Sequence, residues 1–160
     1  MENDQRQKLI GELEFLIEKG NAHVSMEDAI SGLPAEMRTV IPKNLPYSIW
    51  QLAEHIRIAQ KDILDFCITS DHEKLAWPDD YWTEPLESVD DETWENTLNQ
   101  IRQDRKRFFE LLHDKKTDLF SPIQWGEGQT ILREALLIAD HNAYHTAEIV
   151  VIRRMLGCWK

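Results

Sequence analysis

The stretch DHNAYHTAEI, residues 140–149, sets His141 and His145 four positions apart among apolar residues. A helix turns about 100° and rises about 1.5 Å per residue, so this step leaves two side chains about 40° apart and about 6 Å along the axis. Both imidazoles can therefore reach one point. With His141 as the reference direction, Ile131, Leu137, Ile138, Ile149, Ile152 and Met155 fall on the same face, which predicts that the histidines point into a core. Unpaired ring nitrogens there cost on the order of 1–3 kcal/mol each. A bound metal ion removes that cost, but so does a stacked or hydrogen-bonded pair, and the H-x3-H spacing alone does not choose between them.

A catalytic metal site takes about three protein ligands. His55, in WQLAEHIRIAQKDIL, stands at the border of a second apolar stripe, where a neighbouring helix can meet it. Glu148 lies above His141 by helical phase, and Asp62 lies above His55 in the same way. Each carboxylate is placed as a fourth ligand, as a partner holding an imidazole, or as a general base; as boundary residues, both equally suit solvent.

Other chemistries lack their parts. HNAYH has no glutamate where an HExxH metalloprotease helix carries its base. Glu110 and His113 form the only Glu-x-x-His pair on a long helix, whereas a di-iron bundle needs two. No GxSxG, Walker loop or dinucleotide fingerprint is present. His72 and His113 lie in or beside polar segments and read as surface residues.

The elements that must position these residues read as helices. Leu9, Ile10, Leu13, Leu16 and Ile17 share one stripe that ends at Gly20, and SMEDAISGLP holds a short helix behind a Ser25 cap. Ser48, with Gln51 at the capping-box position, opens a long helix to about Thr69 through Leu52, Ile56, Ala59, Ile63 and Phe66. The proline- and acid-rich segment AWPDDYWTEPLESVDD follows as a loop, with Trp77, Tyr81 and Trp82 expected to anchor it. A third long helix spans about Asp91 to His113 on Trp94, Leu98, Ile101, Phe108 and Leu112, interrupted by Arg105. Thr130 caps the fourth, which runs to Leu156 before Gly157. No stretch alternates with period two, so the fold class is all-α: a single domain over residues 1–160, a four-helix bundle with long irregular connections.

The 160 residues carry 18 basic against 29 acidic side chains, a formal charge of -11, which argues against nucleic acid and anionic membrane as partners. Arg102, Arg105, Lys106 and Arg107 are interspersed with acids and read as a solvated helix face. Cys67 and Cys158 form no zinc or disulfide motif. With a charged N-terminus and no membrane-spanning run, a cytoplasmic protein is expected. The last long helix also carries Leu132, Ala139, Ala143 and Val150 opposite its histidines, which predicts a homodimer covering that second face.

Taken together, PYSIWQLAEHIRIAQKDIL, WPDDYW and WGEGQTILREALLIADHNAYHTAEIVVIRRMLG resemble the DinB-like superfamily of metal-binding four-helix proteins over nearly the whole chain. The resemblance implies a metal triad of His55, His141 and His145, an open site for a divalent ion such as zinc or nickel, and often a homodimer. It implies no single reaction: relatives include S-transferases and an isomerase that use low-molecular-weight thiols, and many are described as metal-dependent hydrolases. NAHVSMEDAISGLP is also family-like, so His23 either borders the pocket or serves a turn. The expected function is a metal-dependent enzyme acting on a small molecule, a thiol-dependent S-transferase or isomerase ahead of a hydrolase, with Glu148 and Asp62 as helpers. The alternative is a dimer that binds metal or a small ligand without catalysis.

Overall fold

Each long helix except the first begins at a side chain that satisfies an orphan backbone N–H. Ser48, Asp90 and Thr130 accept from the N–H groups of Gln51, Thr93 and Arg133, and at Ser48 the Gln51 side chain returns the bond to complete a capping box. In the computed structural model, which describes residues 3–159, these caps open α3 (Ile49–Ile68), α4 (Asp91–His113) and α5 (Ile131–Met155). Before them come α1 (Asn3–Lys19) and the short α2 (Met26–Ile30), capped by Ser25. Single 3-10 turns lie at Ala35–Met37 and Asp79–Tyr81, and the described residues contain no strand.

The apolar side chains divide into two cores. One joins the first halves of α3 and α4 to the second half of α5 and to α2, through Leu52, Ile56, Trp94, Leu98, Ile149 and Ala29. The other joins α1 to the second halves of α3 and α4 and the first half of α5, through Ile10, Leu64, Phe108, Leu112 and Ile138. First half therefore meets first half between α3 and α4, which run the same way, whereas α5 runs against both. Parallel neighbours cannot be joined by a short turn. The connection over residues 69–90 must return along a helix of about 30 Å, and this explains its length.

Between the two cores α3, α4 and α5 contribute a polar layer that includes the buried side chains of His55, Gln60, Asp104, His145 and Thr146. Arg105 belongs here too. Its side chain is only 12 % exposed and bonds Glu27 of α2 at 2.7 Å, so the reading of a wholly solvated basic face fails at this residue. The interruption of the α4 stripe is the price of docking α2.

Two further expectations need correction. Met155 is 52 % exposed at the last turn of α5, where no element among the described residues covers it, and it leaves the core stripe. Ala139 and Val150 are buried within the chain itself, because α1 and α2 cover that side of α5. The apolar surface that α5 does expose is another stripe, Leu136, Tyr144, Val151 and Met155.

The buried capping box sets the start of the helix that carries His55. Ser48→Ala should lower stability by about 1 kcal/mol, read as a lower urea midpoint at unchanged slope.

Candidate metal centre

Facing positions of the antiparallel α3 and α5 bring His55, His141 and His145 into one group, with one ligand nitrogen from each lying within 4.8 Å of the others. The Nε2 atoms of His55 and His141 are 3.0 Å apart. Ring centroids stand 4.5 Å apart for His55 and His145, and 4.5 Å for His141 and His145. His55 and His145 are buried, and His141 is the member that keeps contact with solvent.

The outer face of each ring decides what its inner nitrogen can do. Nδ1 of His55 lies 2.9 Å from the backbone carbonyl of Tyr81, which can only accept, so this nitrogen carries the proton and Nε2 is left with a lone pair. Nδ1 of His145 lies 2.7 Å from the Glu148 carboxylate, with the same consequence. Nδ1 of His141 faces Oδ1 of Asn142 at 3.4 Å. Acceptors thus stand behind all three rings and turn lone pairs toward a common point. A cation satisfies that arrangement, and the donor set suits a divalent ion held by imidazoles.

Aromatic side chains build the wall. Trp82 stacks on His55 at 4.0 Å with the planes 5° apart, and Tyr47 stacks on the other side of Trp82 at 4.7 Å. The Tyr47 hydroxyl donates to Glu148 at 3.1 Å, which closes a circuit from His55 through Trp82, Tyr47 and Glu148 to His145. Trp82 and Tyr81 therefore anchor the crossover as expected, but Trp77 does not. Its indole is 71 % exposed, 6.3 Å from the His55 ring. Tyr144, 62 % exposed, stands edge-on to His145.

The two carboxylates expected as helpers take different places. Glu148 is tied to His145 three residues away, not to His141 as the helical phase suggested, because the tilt of the imidazole brings Nδ1 over the following turn. Asp62 does not reach the histidines at all. It accepts the Tyr81 hydroxyl at 2.6 Å and so steadies the residue whose carbonyl holds His55. His23 is exposed, bonds the carbonyl of Val24 and borders a small cavity among α1, α2, α4 and α5 that Asn142 lines but none of the three histidines does. His113 pairs with Glu14, and His72 bonds the carbonyl of Thr69, partly buried against Phe66.

Tyr47 and Asn142 were missed as contributors to the site. Asn142 had a visible signal, a polar residue beside a ligand on an inward-facing stretch; Tyr47 precedes its helix and had none.

Burial lowers the basicity of all three imidazoles. His141 and His145 are brought down to about 4, first by desolvation and then by the neighbouring rings, and His55 is lowered by burial against the opposing bond to Tyr81. Desolvation also raises Glu148, against the lowering effects of Tyr47 and His55. At neutral pH the triad is uncharged, the form that binds metal. Without metal, the unfolded chain takes up protons near pH 6.5 while folded His141 and His145 resist until about 4. The unfolded state then binds more protons, so stability should fall as pH drops through that window and level off below it. Denaturant unfolding of chelator-treated chain across this range checks the sign, and the His141→Gln, His145→Gln double variant should show a shallower fall.

Comparison with known proteins agrees with this geometry. Among curated proteins and solved structures, none matches the chain significantly. A family model described as the DinB superfamily matches residues 22–149, a span that contains all three histidines and the whole of α2, α3 and α4. The chain, an all-helical bundle with a three-histidine cluster, belongs to the DinB superfamily.

Proposed function

We propose that this chain is a metal-dependent enzyme acting on a small molecule, and that its reaction is thiol-dependent transfer or isomerisation ahead of hydrolysis. The observation that carries the reading is the set of inward lone pairs, two of them fixed by acceptors at 2.9 and 2.7 Å behind the rings. Among the described residues the group has three donors, one short of a closed structural site. A divalent ion held there, zinc or nickel by the family resemblance, would supply Lewis-acid activation of a water or a thiol.

The protein's own residues have separable parts in this scheme. His55, His141 and His145 hold the ion, and Tyr81 and Glu148 keep two of them in the binding tautomer. Trp82 and Tyr47 exclude water from the His55 side, while the partial exposure of His141 leaves a way in for substrate. In thiol transfer the sulfur forms a bond to an electrophilic carbon, the leaving group departs with its electron pair, and the thiol proton goes to solvent. Cys67 is no candidate nucleophile, since it is buried on α3 and burial pushes its thiol up, beyond any useful thiolate fraction. A reducing cytoplasm would keep Cys67 and Cys158 as thiols and would supply a low-molecular-weight thiol as cosubstrate.

The test is turnover by zinc- or nickel-loaded chain offered a panel of small thiols and electrophiles, with His145→Ala as control. Thiol-dependent turnover that falls by about 100-fold or more in the variant is expected. Turnover of an ester or amide with no thiol present would favour the hydrolase, and bound metal without turnover by either route would favour a binding protein.

We also propose a homodimer, now on the exposed Leu136, Tyr144, Val151 and Met155 stripe of α5. Light scattering at high micromolar concentration should return twice the 18.8 kDa chain mass, and Val151→Glu should return the monomer.

A further inference from the structure

The third imidazole differs from the other two. His55 and His145 are held from behind by a backbone carbonyl and a carboxylate, which can only accept, whereas His141 faces the amide of Asn142, which presents an acceptor or a donor according to how it is turned. If its NH2 group faced Nδ1, the tautomer would reverse and the proton would sit on the nitrogen that should hold the ion. Something must set the direction of Asn142.

We infer that Gln60, wholly buried on α3, is a positioning residue that fixes His141 in its metal-binding tautomer through Asn142. The chain of bonds begins at the backbone carbonyl of Ile101 on α4. That oxygen cannot donate, so it takes the NH2 end of Gln60, Nε2 at 2.7 Å. The Gln60 carbonyl must then face the other way, where it accepts Nδ2 of Asn142 at 3.0 Å. Asn142 in turn presents Oδ1 to Nδ1 of His141 at 3.4 Å. Each amide is oriented by the one before it, and the final consequence is a proton on Nδ1 and a bare Nε2.

At 1 % exposure Gln60 has no water to consult, and an amide turned the wrong way would leave Ile101 facing another carbonyl. The relay also explains a polar side chain on a buried helix face between Ile56 and Ile63, where a leucine would pack.

The assignment rests on the reading of the three histidines as an ion site, and variants at residue 60 separate the two. In Gln60→Leu nothing turns Asn142, and in Asn142→Leu the acceptor itself is gone. Gln60→Glu keeps the direction of the relay: ionised or protonated, its carboxyl still offers an oxygen to Asn142, and the protonated form also donates to Ile101. Zinc affinity of the full chain is measured by competition with a chromophoric chelator, alongside thermal unfolding of the metal-free chain.

Both variants at residue 60 should unfold at lower temperature. Zinc affinity should fall about 10- to 100-fold in Gln60→Leu and Asn142→Leu, and stay within about threefold of wild type in Gln60→Glu. In the zinc-loaded chain the Nδ1 proton of His141 should be protected from exchange in wild type and Gln60→Glu, and should lose that protection in the leucine variants. A merely structural glutamine would make affinity follow stability, so equal losses in Gln60→Leu and Gln60→Glu, or wild-type affinity in Gln60→Leu, would overturn the assignment and leave the ion site standing. A wild-type chain that takes up no zinc or nickel would overturn both.

Discussion

An imidazole out of water needs a partner for each of its two nitrogens, and this fold places three of them together. The bond from His55 to the carbonyl of Tyr81 is the one on which most else depends. It joins the helix that supplies the first histidine to the middle of the 69–90 crossover, and the crossover exists at that length because α3 and α4 run parallel. A bundle of purely antiparallel neighbours would have no such segment to pass over the site. Topology, rather than local sequence, puts an acceptor behind His55 and an indole against its face.

The polar layer between the two apolar cores follows from the same demand. His55, His145, Gln60 and Asp104 occupy positions where leucine or isoleucine would contribute about 1.5–3 kcal/mol of burial each. The fold offsets that loss with a hydrogen bond for each group: Asp104 meets Gln100 and Arg107, and Glu54 meets Arg57 and Thr97. Two separate cores then hold the helices on either side of the waist, so the centre does not depend on the packing of its own residues.

The exposed aromatics belong to the same arrangement. Trp77 and Tyr144 bury little of their surface in the described chain, yet each lies against a histidine of the triad. Neither contributes much to the core, and both keep most of their ring surface exposed. Tyr47 and Trp82, which do bury surface, form a stack on His55, with Tyr47 reaching Glu148. The site is thus walled by stacking at His55, while His141 keeps partial exposure.

Helical periodicity, with caps at Ser48 and Thr130, was enough from the sequence by itself to determine the four long helices, the third from about Asp91 without its Asp90 cap, because hydrophobic spacing and capping are local. The four-residue step placed His141 and His145 on one face for the same reason, and His55 joined them only through its place on a second stripe and through a family resemblance. What lay beyond reach was every relation between residues distant in the chain. Asp62 shares a helical phase with His55 but spends its carboxylate on Tyr81, and Glu148 serves His145 instead of His141, since side-chain direction and the path of a crossover decide which atoms meet. Whether α5 had a free second face was likewise settled by α1 and α2, whose apolar stripes reveal that they pack somewhere but not against what. Direction along the Ile101–Gln60–Asn142–His141 chain is the clearest case: an amide reads the same in sequence either way round, and only the carbonyl at the far end, delivered by another helix, says which end faces the imidazole.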